Sequence, residues 1–164
     1  VRKRDLEEDA MPIGPIPPGF HTLTPLLVVD QGLRALDFYK SAFGAVEERR
    51  VMAPGGFKLV YATLAIGDSR LLLSDEIPEI GQRGPWALGG SPITLSLYVA
   101  DPDALFAQAI AAGATAIMPM ADMFWGDRWG KLRDPFGHAW TIAARRREPS
   151  AAELEAGLRQ AFGA

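Results

Sequence analysis

Apolar and polar residues alternate in short runs along most of the chain, and glycine, proline or aspartate breaks most of them. Such alternation marks a half-buried strand. "FHTLTPLLVVD" is the first run and ends at Asp30. "AVEERRVMA", "FKLVYATLAI" and "RLLLSDE" follow, with Pro54-Gly55-Gly56 and Gly67-Asp68-Ser69 as turns. Between the first two runs the period changes. In "QGLRALDFYKSAFG" the residues Leu33, Leu36, Phe38, Tyr39 and Phe43 fall roughly on one helical face, and Gly44 offers a C-terminal cap. Asp30 stands where it would cap the N-terminus. The pattern predicts β-α-β-β-β.

The second half repeats that order. "PITLSLYVAD" reads as a strand and "PDALFAQAIAAGA" as a helix with Pro102 in its first turn. "TAIMPM", "RWGKLRD" and "AWTIAARR" read as three strands, the last two joined by Asp134-Pro135-Phe136-Gly137. "VVDQGLRALDFYKSAFGAVEE" laid over "VADPDALFAQAIAAGATAI" matches strand end, helix and capping glycine, so the architecture is an internal duplication. The modules are expected at about 20–76 and 91–147, within one domain spanning 20–147. Residues 1–19 read as a charged, proline-rich arm, 76–91 as a Pro/Gly-rich linker, and 148–164 as an amphipathic helix capped by Ser150.

Parity within the strands separates two faces. Leu95, Leu97 and Val99 oppose Thr94, Ser96 and Tyr98; Trp140 and Ile142 oppose Ala139, Thr141 and Ala143. One face is apolar and suits a covering helix. The other carries small and hydroxyl side chains, which suits either a pocket lining or solvent.

Composition removes several function classes. The formal charge is −3, and the one basic run, Arg145-Arg146-Arg147, is short and flanked by Glu148, so no nucleic-acid partner is expected. The chain has no cysteine, which excludes disulfides, thiolate metal sites and a cysteine nucleophile. No run approaches the roughly 20 apolar residues of a membrane span, and the charged N-terminus is unlike a secretory signal. A cytoplasmic location is the expectation, without membrane partners. GxSxG, the P-loop and GxGxxG are absent.

The doubled β-α-β-β-β pattern, "LLVVD…ALDFYKSAFGA" and "WGDRWGKLRDPFGHAW" together resemble the vicinal oxygen chelate superfamily, the glyoxalase/bleomycin-resistance/dioxygenase fold, and within it the PhnB-like branch. The resemblance covers about residues 20–145. It implies an α+β fold of two βαβββ modules forming curved half-barrel sheets, with helices on the convex faces, in a homodimer. In the metalloenzymes of that superfamily four inward side chains, typically His and Glu, hold a divalent cation that polarises the substrate. Carried over one by one, those positions fall here on Leu23, on Ser74 with Asp75 beside it, on Thr94 and on Thr141. Leu ligates nothing, and neutral hydroxyls compete poorly with water for such ions. No metal or other cofactor is therefore expected. A divalent metal would have to draw on His21, Asp75 and Glu76, and His138 reads as structural.

The remaining residues favour a binding pocket. Trp125, Trp129, Phe57 and Tyr61 supply rigid aromatic wall, with Trp86 as a further candidate, and Leu23, Ser74, Thr94, Ser96, Tyr98 and Thr141 the lining between. Asp127 and Arg128 read as an ion pair bracing the hairpin; alternatively Arg128 holds a ligand carboxylate. For acid–base chemistry the candidates are His21, Asp75 and Asp127. The leading expectation is a metal-independent small-molecule-binding protein that sequesters a hydrophobic or aromatic ligand, an antibiotic among them, rather than an enzyme. Two alternatives stand beside it. One is a divalent-metal lyase, isomerase or dioxygenase with a non-standard ligand set. The other is a subunit whose pockets its own side chains fill.

Overall fold

The computed structural model describes residues 14–163. Most of the expected N-terminal arm thus lies outside the described residues. Its described end, Gly14–Gly19, turns without helix or strand and brings Gly19 against the Arg70 guanidinium.

The first module runs β1 (Leu26–Val29), α1 (Gly32–Phe43), β2 (Val46–Met52), β3 (Leu59–Ile66) and β4 (Ser69–Asp75). A linker containing the short α2 (Pro85–Leu88) leads to β5 (Thr94–Tyr98), α3 (Pro102–Ala111), β6 (Thr115–Asp122), β7 (Asp127–Arg133) and β8 (Ala139–Arg145). The chain then enters α4 (Ala151–Phe162). The strands form two open four-stranded sheets, ordered β1-β4-β3-β2 and β5-β8-β7-β6. Each sheet is mixed: its last three strands form an antiparallel meander, and its first strand pairs parallel with its last. The crossover helix makes that parallel pair possible, since a hairpin cannot. This is the α+β duplication that the sequence pattern predicts.

The helices α1 and α3 pack on one another and on the sheets, so one core serves both modules. Its aromatic centre is Phe38, Tyr39 and Phe43 of α1 with Phe136 and Trp140 of the second module. Phe43 and Trp140 lie 4.7 Å apart between ring centroids, and Tyr39 and Trp140 5.6 Å. Each such pair adds about 0.5–1.5 kcal/mol beyond the area it buries.

One carboxylate is buried inside this centre. Asp134 Oδ1 accepts the backbone N–H groups of Phe136 and His138, both at 2.9 Å. Its Oδ2 accepts the Tyr39 hydroxyl at 2.7 Å and Trp140 Nε1 at 2.9 Å. Four donors offset the desolvation that an isolated buried carboxylate would suffer. Burial, and then the neighbouring Asp134 charge, raise the Tyr39 pKa well above its ordinary value. The hairpin turn of module two is thereby tied to the helix of module one. His138 Nε2 adds a second tie, donating to the Val28 carbonyl of β1 at 3.0 Å. Trp86 Nε1 adds a third, from the linker to the Pro135 carbonyl at 2.9 Å.

Two local expectations are corrected. Asp30 does not cap α1: Gln31 is the N-cap residue and its side chain makes no capping bond. Asp75, at the end of β4, takes that role from across the sheet. Its Oδ1 accepts Gly32 N–H at 2.5 Å and its Oδ2 accepts Leu59 N–H at 2.6 Å. The positive end of the helix dipole favours a carboxylate there. Gly32 leaves the room: a Cβ on it would stand 2.8 Å from Leu59 side-chain atoms and 2.9 Å from the Asp75 carboxylate. The other correction is β6, which continues past "TAIMPM" to Asp122. Pro119 is tolerated because β6 is an edge strand whose pairing with β7 is irregular between Met118 and Ala121. Ser150 caps α4 as expected, with Glu153 completing a capping box.

Candidate functional site

The face of the second sheet turned away from the helices is built by register. Thr94, Ser96 and Tyr98 of β5 lie beside Ala139, Thr141 and Ala143 of β8, which lie beside Arg133, Lys131 and Trp129 of β7. The opposite parity, Leu95, Leu97, Trp140, Ile142 and Leu132, enters or packs against the core. On this outer face the Thr141 hydroxyl donates to Ser96 Oγ at 2.8 Å. Thr141 is buried, whereas Thr94, Ser96 and Tyr98 are exposed. Trp129 is half-buried and meets Trp125 edge-to-face at 5.9 Å.

Asp127 and Arg128 are not an ion pair. As strand neighbours they point to opposite faces, and each finds another partner. Asp127 is 3 % exposed and accepts Arg145 Nε at 2.6 Å and the Tyr98 hydroxyl at 3.0 Å. The Asp127 hydrogen bond is the largest cause of a raised Tyr98 pKa. Arg128 turns to the helix side and forks onto Asp103 of α3, at 2.7 Å from Nη2, with Asp122 at 3.6 Å. Its guanidinium is committed within the fold.

A cleft of about 600 Å³ opens between the modules. Its apolar wall includes Phe43, Ile66, Leu95, Leu97, Leu105 and Trp140. Its polar wall includes His21, Arg70, Ser96 and Tyr98, and Leu23 stands at its rim, 87 % exposed. Of the expected lining, the structure brings Leu23, Ser96 and Tyr98 together here and leaves Thr94, Trp129 and Thr141 on the adjoining sheet face. Sequence reasoning missed Phe43, Ile66, Leu97, Leu105 and Trp140, which it assigned to core or left unplaced. Ser96 and Tyr98, edge residues with one side toward the cleft, were the signal for the other half of β5.

The other candidates lie apart from it. Phe57 is in the β2–β3 turn and exposed. The ring of Tyr61 lies under Arg49 at 6.0 Å, and its hydroxyl bonds Thr63 at 2.7 Å. Ser74 is buried, with Gln82 Nε2 donating to its hydroxyl. Trp125 is half-buried beside Phe124, which lies against Gly157 of α4. His21 lines the cleft, near the start of β4, whereas Asp75 ends that strand and is bound to two backbone amides. Glu76 accepts Gly84 N–H at 2.7 Å. Among the described residues no three His, Asp or Glu side chains gather closely enough to hold a metal ion.

A divalent cation does not fit the positions at which the resemblance puts ligands. Leu23 has no donor atom. The Ser74 hydroxyl is held by Gln82, and that of Thr141 by Ser96. Such ions call for imidazole and carboxylate groups.

Known proteins give the same architecture. The family model described as Glyoxalase/Bleomycin resistance protein/Dioxygenase superfamily matches residues 20–142. An uncharacterised protein of Mycobacterium bovis is 44% identical over 139 residues, covering 83% of this chain and 91% of that one. Among solved structures, an Arabidopsis thaliana gene product superposes with a TM-score of 0.61 at 28% identity, covering 77% of this chain and 99% of the other. TioX from Micromonospora sp. ML1 superposes with a TM-score of 0.61 at 26% identity, covering 75% and 97%.

Proposed function

The chain belongs to the glyoxalase/bleomycin resistance protein/dioxygenase superfamily, and from that premise we propose that it binds a hydrophobic or aromatic small molecule without a metal ion. The observation that carries this reading is the cleft of about 600 Å³ between the modules. Ligand pockets of roughly 300–1,000 Å³ are mostly apolar, with a few polar groups that set orientation. Here Leu95, Leu97, Leu105, Phe43 and Trp140 give the apolar part, and His21, Ser96 and Tyr98 the polar part. The aromatic character comes from Trp140 and Tyr98 in the cleft, with Trp129 on the adjoining face. Sequestration is the activity this supports, and a planar antibiotic is one ligand of that kind. The metal-independence rests on the donor set: a leucine and three neutral hydroxyls, those of Ser74 and Thr141 already hydrogen-bonded, stand where a metal reading needs imidazole and carboxylate.

We also propose a cytoplasmic homodimer. The location follows the cysteine-free, weakly acidic composition. The dimer is supported by apolar side chains left open on the sheets, among them Val46 at 62 %, Ile117 at 45 % and Met118 at 44 % exposure.

The test is a fluorescence titration with the neutral probe N-phenyl-1-naphthylamine in the presence of a chelator. Saturable binding is expected, and Leu105→Trp, which fills the cleft, is expected to weaken it at least about 10-fold, or roughly 1.4 kcal/mol. Absence of saturable binding, or binding that requires an added divalent ion, would overturn the reading.

A further inference from the structure

We propose that the outer face of the second sheet receives the anionic end of the ligand, with Lys131 as the residue that selects a planar aromatic carboxylate. This rests on the reading of the protein as a small-molecule binder and adds the charge of the ligand and the group that recognises it.

The register places Ser96, Thr141 and Lys131 in one row across β5, β8 and β7. Side chains two strands apart in such a row stand about 10 Å from one another, the length of a two-ring molecule. Thr141 donates to Ser96 Oγ, which leaves the Ser96 proton free for an incoming acceptor. Lys131 is half-buried. The other cations of the face are engaged. Arg133 lies over the Trp86 ring at 5.4 Å, and Arg145 holds Asp127 at 2.6 Å. Among the described residues Lys131 has neither a carboxylate nor a ring against it. Asp127, the carboxylate on β7 that shares its parity, is already matched by Arg145. An ammonium partly withdrawn from water, with no counter-charge, favours an anion.

The neighbouring row gives the shape of that anion. Tyr98, Ala143 and Trp129 are register partners, so two rings flank an alanine. The Tyr98 ring is held by its hydrogen bond to Asp127, and Trp129 by its edge-to-face contact with Trp125. Flat apolar walls beside an ammonium and a hydroxyl suit a fused aromatic ring bearing a carboxylate. Ser96 and Tyr98 also line the cleft, so an apolar substituent on the ring has a place to continue.

The test compares two probes of one shape by calorimetry: 2-naphthoate and the neutral 2-naphthamide. At low ionic strength the naphthoate is expected to bind at least about 10-fold more tightly, and added salt to erode the difference. Lys131→Met is expected to abolish the preference and Lys131→Arg to retain it. Arg159→Ala on α4, remote in charge and place, serves as the control that leaves it unchanged. Equal affinities in the unaltered protein, or a preference that survives Lys131→Met, would overturn the inference. If the neutral probe of the preceding section still binds in that case, the binder reading stands alone. If none of the three probes binds, both fall.

Discussion

Asp134 ties the last hairpin turn to the first helix through its side chain. Its carboxylate is 2 % exposed and takes four hydrogen bonds, from a tyrosine, a tryptophan and two backbone amides. Tyr39→Phe keeps the ring packing and deletes one donor. It is expected to lower unfolding free energy by about 1–2 kcal/mol, measured by urea denaturation. An unchanged midpoint would mean that the remaining three donors satisfy the carboxylate. In sequence, Asp134 is legible as a turn residue and Tyr39 as a core residue, but not as partners. The same holds for Asp75 and Gly32, 43 residues apart, where the nearby Asp30 offered a simpler cap. The Asp127–Arg128 expectation failed for a different reason: adjacency in sequence suggests contact, but a strand turns neighbours to opposite faces.

Among the elements, the strands were legible because alternation is a local signal; β5 keeps it in the structure, whereas β3 and β8, paired on both sides, bury runs of consecutive residues. Their lengths were less so. The run "FHTLTPLLVVD" yields a four-residue strand, since only Leu26–Val29 finds partners, on Leu72–Asp75 of β4. The junction of α1 with β2 carries a titratable bond the pattern did not reveal. Glu47 accepts Arg50 Nε and Lys40 Nζ, each at 2.6 Å. Those bonds, Arg50 first and Lys40 next, lower its pKa to about 2. A carboxylate depressed in the folded state stabilises above its unfolded pKa and loses that contribution as pH falls through the folded value. Urea midpoints of the unaltered protein and Glu47→Gln should therefore differ most above about pH 5 and converge as pH falls toward about 2. The gap should stay under about 1 kcal/mol, since Lys40 and Arg50 are both more than a third exposed. A gap independent of pH would assign the effect to packing.

At the scale of the molecule the duplication was legible and the site only in part. The cleft draws on the segment before β1, the β3–β4 turn, the end of α1, α3 and two strands of the second sheet. Periodicity reports which face a residue takes, not which distant segment comes to meet it. Parity picked out Ser96 and Tyr98 but also Thr94 and Thr141, which lie outside the cleft, and it passed over Leu95 and Leu97, which line it; Leu105 and Phe43 required the packing of α1 on α3. Lys131 shares parity with Trp129, a relation readable in "RWGKLRD" once the hairpin register is known. The proposed homodimer belongs to this scale too, and the exposed apolar side chains of the sheets are what support it. Sedimentation equilibrium is expected to give twice the chain mass at micromolar concentration, and a single-chain mass throughout would refute it.

The bond between Tyr39 and Asp134 spans 95 residues of chain. Closing so long a loop costs conformational entropy before any contact repays it. Each sheet can assemble its meander from neighbouring segments, but the aromatic centre waits until both halves exist. The polypeptide is thus built as a repeat but joined as a unit: the first helix supplies part of the aromatic core of the second half, so the two copies share what each would otherwise have to bury alone.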